Sequence, residues 1–163
     1  MMTDLQKRCL GIAMVVSAVA SVAGCSTVQG WMNKASSTEE SKTANPSGFM
    51  QSVSLIGANE VPPVTTNASG SGTVTVNADH TVVARITVTG MQPTAAHIHQ
   101  GAAGTNGPVI VPFTKTGDNT FTAPAGSKLT DEQYAAFKAG NTYVNVHSDA
   151  HKAGEIRAQL KGS

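Results

Sequence analysis

Apolar and polar residues alternate with a period of two through most of the chain after Phe49, the signature of strands with one face in a core. In the stretch Gly72 to Asn77, Val74 and Val76 lie on one face and threonines on the other. Ala78-Asp79-His80 supplies a turn, and Thr81 to Thr89 then alternates again with Val82, Ala84, Ile86 and Val88 on a single face. The pair predicts an antiparallel hairpin with one wet face. The same reasoning predicts strands at Met50 to Ala58, Ala95 to Gln100, Val109 to Phe113, Thr120 to Ala123, Thr142 to Ser148 and Glu155 to Leu160. One helix interrupts them: Thr130-Asp131-Glu132-Gln133 reads as a capping box, Tyr134 and Phe137 form an apolar stripe, and Gly140 closes it. Short strands separated by Gly, Pro and Asn turns predict an all-β fold, a Greek-key sandwich or barrel whose open end the short helix covers.

The N-terminal segment has a different pattern. Lys7 and Arg8 precede an apolar run from Cys9 to Ala23, too short to cross a bilayer comfortably as a mature helix. It ends in Val22-Ala23-Gly24-Cys25, which resembles a bacterial lipobox. That resemblance implies cleavage of residues 1–24 as a signal peptide, lipid on Cys25 and residence in the bacterial cell envelope. Ser26 after the cysteine, in place of aspartate, resembles an outer-membrane address facing the periplasm. Residues 25–48, rich in Ser, Thr, Glu, Lys, Ala and Asn, read as a flexible tether, and residues 49–163 as the folded domain.

Composition narrows the possibilities further. The chain has two cysteines, Cys9 in the removed segment and Cys25 under lipid, so the exported domain folds without a disulfide. Its length, about 115 residues, is enough for one core. Without Lys7, Arg8 and Asp4, the eleven basic and ten acidic residues become nine of each. A neutral chain without basic patches or interleaved aromatics argues against a nucleic-acid partner, and the lipid is the expected membrane contact.

Four of the five histidines fall in two short runs, Ala96-His97-Ile98-His99-Gln100-Gly101 and Tyr143-Val144-Asn145-Val146-His147-Ser148-Asp149-Ala150-His151. Residues two apart share a face and stand roughly 6.5 to 7 Å apart along a strand, so His97 and His99 reach one point above the sheet. Tyr143, Asn145 and His147 share the face opposite Val144 and Val146. If the strands are neighbours, three imidazoles converge. Such a donor set suits copper, with zinc as its rival, and no acidic cluster competes for a hard cation. His151, beyond the expected strand end, is either a fourth ligand or a loop histidine. His80, at a hairpin tip beside Asp79, is expected to be solvated. Metal affinity is expected to fall below the free-imidazole pKa of about 6.5.

Three ordered motifs carry a family resemblance: Gly57-Ala58-Asn59-Glu60-Val61-Pro62-Pro63; the His97/His99 strand followed by Asn106-Gly107-Pro108-Val109; and the Tyr143 to His147 strand followed by Gly154-Glu155-Ile156-Arg157. From about Phe49 to Leu160 the chain resembles the CHRD domain family, which implies a sandwich of immunoglobulin-like or superoxide-dismutase-like type. The order of a His-x-His strand, a later Val-His strand and an arginine after a glycine turn also resembles the copper site of Cu,Zn superoxide dismutases. That second likeness implies copper ligands at His97, His99 and His147, with Arg157 as the residue that draws in the anion. The disulfide cysteines and the zinc loop of those enzymes have no counterpart, so the enzyme it implies is copper-only.

The functional expectation is an envelope lipoprotein that binds copper and dismutates superoxide, with Arg157 pointing outward to steer the anion. Its alternatives are a copper-sequestering protein without turnover and a structural interaction module. Among the remaining residues, Glu60 with Pro62 and Pro63 is expected to shape and cap an edge strand. Glu155 is expected to orient an imidazole or to pair with Arg157. Met50 and Met91 are expected to pack, thioether ligation of cuprous ion being the alternative.

Overall fold

The computed structural model describes residues 48–162. Residues 1–47, on which the expected signal peptide, Cys25 and all of the expected tether but Gly48 fall, lie outside the described residues. Nine strands and one helix follow in order: β1 (Gly48–Ile56), β2 (Ser69–Asn77), β3 (Val82–Thr89), β4 (Pro93–Gln100), β5 (Val109–Pro112), β6 (Thr114–Gly117), β7 (Thr120–Thr122), α1 (Asp131–Lys138), β8 (Thr142–Ser148) and β9 (Ile156–Leu160). All strand pairs are antiparallel, and they form one sheet in the order β5-β4-β8-β9-β1-β2-β3-β7-β6.

The two ends of that order are consecutive in the chain. β5 and β6 are halves of one bent strand, separated by Phe113, whose amide donates to Ala96 O on β4 at 3.0 Å. The first half pairs with β4 and the second with β7, so the sheet curls into a nearly closed barrel. The connections β3 to β4 and β7 to β8 each pass over neighbouring strands, as in a Greek key. The all-β expectation with one short helix is met.

Alternation places Leu55, Val74, Val76, Ala84, Ile86, Val88, Ile98, Val144, Val146, Ile156 and Leu160 in one apolar core. The capping box at Thr130 forms as expected: its side chain accepts from the Gln133 amide, and the Gln133 side chain accepts from the Thr130 amide. Gly140, at φ 74°, takes the left-handed turn after the helix. Phe137 packs edge-on against Phe49 with ring centroids 6.0 Å apart.

One strand departs from the one-wet-face expectation. Every residue of β8 is buried. Val144 and Val146 enter the apolar core, while Tyr143, Asn145 and His147 face a second, polar interior. The β4–β5 loop (residues 101–108) covers part of that face, where the Gly107 amide donates to Tyr143 Oη at 3.2 Å. Asn106 ties the loop to the segment after β1 by donating to Val61 O at 2.8 Å.

Candidate metal centre

Strand register brings the predicted histidines together. His97 lies opposite Asn145, His99 opposite Tyr143 and Ala95 opposite His147, so His147 is a diagonal neighbour of His97 on the same face. One ligand atom from each of His97, His99 and His147 lies within 4.8 Å of the others. A metal at about 2.0–2.1 Å from each nitrogen separates its donors by roughly 3.3–3.6 Å. The 3.0 Å between His97 Nδ1 and His147 Nε2 is a little under that range, and the 4.8 Å limit that encloses all three donors is above it.

Backbone carbonyls fix two of the three tautomers. His99 Nδ1–H donates to Gly107 O at 2.9 Å and His147 Nδ1–H donates to Lys152 O at 3.0 Å. Their Nε2 atoms consequently carry lone pairs, and that of His99 is buried without any hydrogen-bond partner. Metal-binding histidines are held in this way, the distal N–H anchored so that the other nitrogen is aimed and made more basic. The sequence provides for both anchors. A Cβ at Gly107 would overlap the Gln100 carbonyl oxygen, so glycine is what lets the loop reach His99. Lys152 O is delivered by a tight loop in which the amides of Ser148 and Gly154 donate to His151 O.

The electrostatics favour neutral donors. Burial lowers the pKa of His97 to about 4, assisted by His147 and His99. Burial also lowers His99 and His147, against the opposing effect of the hydrogen bonds to Gly107 and Lys152. All three imidazoles therefore hold their lone pairs at neutral pH. His97 is only half-buried, while Tyr143 stacks on His99 at 4.8 Å and 6°.

Arg157 requires a correction. It shares the histidine face, as alternation demands, but it is 1 % exposed and does not point into solvent. Its guanidinium lies 3.3 Å from the Tyr143 ring centroid and donates to Thr105 O at 2.8 Å and Asn106 Oδ1 at 3.2 Å. Those groups belong to the covering loop, which the period-two pattern could not foresee. Burial lowers its pKa, opposed by Tyr143 and Glu60. Its donors hold the covering loop.

Other expectations change with it. His151 stands outside the converging trio, and its hydrogen bonds are made by its main chain, which shapes the loop. Glu60 caps the turn Gly57–Asn59 instead of an edge strand and is 4 % exposed beneath the histidine face, its pKa raised by burial against the pull of Arg157. Glu155 accepts from the hydroxyls of Thr66 and Ser148 and is hydrogen-bonded to neither a histidine nor Arg157. His80 is stacked on Tyr134 at 4.1 Å, not freely solvated. Met50 is 69 % exposed on β1 and Met91 packs against the core. Asn145, Tyr143 and Gly107 were not singled out as site residues; the shared face of Tyr143, Asn145 and His147 was the available signal for the first two.

The CHRD domain profile matches residues 51–160. The chain belongs to the CHRD family. No curated protein and no solved structure matches it. The match spans β1 to β9, so the histidine cluster, its covering loop and Arg157 all belong to the CHRD domain itself.

Proposed function

We propose that this CHRD domain is a copper-binding domain, held at the cell envelope by lipid on Cys25. The observation that carries the reading is the anchoring of His99 and His147 through Nδ1–H to backbone carbonyls, which aims two Nε2 lone pairs at His97. Copper stands ahead of zinc because the three donors are neutral and the Arg157 guanidinium acts on His99 electrostatically. That charge balance disfavours a dication relative to cuprous ion, and imidazole tolerates both copper oxidation states. The test is titration of metal-stripped protein with cuprous, cupric and zinc ions against competing chelators, with metal content measured on the recovered protein. One copper per chain, outcompeting zinc, is expected; absence of a saturable complex rejects the reading.

A second reading, superoxide dismutation, is supported by the incompletely buried His97, which leaves a side of the cluster open to a small molecule. Copper, when bound, supplies one-electron redox chemistry. The chain holds three neutral imidazoles in place for it and leaves the His97 side accessible, while Arg157 takes no part in attracting the anion. Copper-loaded protein is compared with free-copper controls containing chelator. If it is no faster, the domain binds copper without turnover.

A further inference from the structure

Asn145 is 2 % exposed, and its Oδ1 has no hydrogen-bond partner. It projects from β8 between Tyr143 and His147, opposite His97 on one neighbouring strand and Arg157 on the other. Its side chain reaches both Glu60 and His99. The nitrogen lies on the Glu60 side, without a hydrogen bond to Oε1: Asn145 Nδ2 and Glu60 Oε1 stand 2.6 and 2.5 Å from the point a Cβ on Gly154 would occupy. Only a glycine at 154 leaves room for the two side chains. The Oδ1 is thereby directed away from the carboxylate and toward the histidines.

His99 has already given its one N–H to Gly107, so its Nε2 also presents a lone pair. Asn145 Oδ1 and His99 Nε2 are thus two buried acceptors without a partner in one polar interior, and Glu60 Oε1, beside the Asn145 nitrogen, is a third. Each such group has given up its bond to water without replacement, which destabilises the fold. Turning the amide over only moves the mismatch, because Oδ1 would then meet the Glu60 carboxylate. A cation among these atoms satisfies the Asn145 and His99 lone pairs at once.

We infer that Asn145 Oδ1 is a fourth donor to the metal held by His97, His99 and His147, with the neighbouring Glu60 carboxylate biasing the amide electrostatically so that its nitrogen faces away from the metal. The inference deepens the metal-binding reading and rests on it. It assigns Glu60 as a positioning residue, with Gly154 making the space the pair requires.

The test uses the full chain, with cobalt(II) as a spectroscopic probe and copper for affinity. Asn145→Ala should weaken copper binding about 10- to 100-fold and change the cobalt d–d bands. Asn145→Asp, close in shape but anionic, should retain a four-donor cobalt spectrum and raise affinity for zinc relative to copper. Glu60→Gln should broaden or shift the cobalt bands, since the amide is then free to turn. The unfolding midpoint of each metal-free variant controls for folding, and if Asn145→Ala does not fold, Asn145→Asp decides. Wild-type affinity and wild-type cobalt bands in folded Asn145→Ala, or an unchanged preference between zinc and copper in Asn145→Asp, overturn this inference alone. Failure of the wild type to bind any metal overturns it together with the reading beneath it.

Discussion

Replacing Arg157 with alanine separates the buried role of this side chain from a surface role. The guanidinium makes two well-formed hydrogen bonds to the covering loop, to Thr105 O and Asn106 Oδ1, each worth about 1.5–3 kcal/mol as a bond to a charged group. Its stacking on Tyr143 at 3.3 Å adds up to about 2 kcal/mol in a desolvated setting. Against these stands the cost of keeping the guanidinium out of water, which alanine removes, and the buried charge of Glu60, which alanine leaves uncompensated. Alanine also leaves Thr105 O and Asn106 Oδ1 without their donor, each orphaned acceptor costing about 1–3 kcal/mol, so a loss near 4 kcal/mol is expected. For a domain of this size that lowers Tm by roughly 15–25 °C and the urea midpoint by about 2 M. Arg157→Lys should recover little of the loss, because an ammonium cannot span Thr105 and Asn106 or stack on the ring. Arg85→Ala, on the exposed face of β3, should stay within about 0.5 kcal/mol. Urea unfolding followed by circular dichroism measures all three. The Arg157 variant should also bind copper more weakly, since the loop it releases carries the Gly107 carbonyl that anchors His99. A loss below about 1 kcal/mol with unchanged copper affinity would refute the loop-holding role.

Alanine at His97, His99 or His147 should each weaken copper binding strongly, whereas His80→Ala, stacked on Tyr134 away from the cluster, should not; equal behaviour of the four variants in chelator competition rejects the site. Because burial holds the imidazole pKa values below about 6.5 in the folded state, to about 4 for His97, the unfolded chain takes up protons first as pH falls. The resulting contribution to stability is complete above about pH 6.5 and is lost toward pH 4, so Tm should drop across that window in wild type and drop less in His97→Gln. Proton competition with copper should likewise begin below the free-imidazole pKa, and an affinity midpoint at or above it in a pH titration contradicts the burial argument. Mass spectrometry of membrane-extracted protein should find a lipidated Cys25 as the first residue, and an unmodified chain starting elsewhere in the soluble fraction rejects the anchor.

Much of this architecture is legible along the chain because period two is a local property. β3, the capping box and β8 lie where alternation and side-chain chemistry place them, and the His97/His99 pair shares a face because no other outcome is open to a strand. β6 was not foreseen: Thr114-Lys115-Thr116-Gly117 has no apolar face, and it is a strand because β7 pairs with it. The burial of Arg157 was equally hidden, since alternation gives a face but not what lies over it. That cover comes from a loop whose path depends on Asn106 reaching Val61, a contact between residues far apart in sequence. Glu60 was read by the same logic as an edge feature, and its place beneath the histidines follows from the way the segment after β1 folds under β8.

The bent strand from Val109 to Gly117 has a consequence for how the domain meets its neighbours. A sheet that nearly joins itself leaves little open edge, and what remains lies along β5 and β6, four residues apiece. Pro112 lacks an amide hydrogen for a new ladder, and the exposed Lys115 discourages apposition of a second edge. Growth into fibres by strand addition finds no template there, even when many copies are crowded together. With strand addition disfavoured, the loops and the curved outer surface are the larger ground the domain offers for recognition.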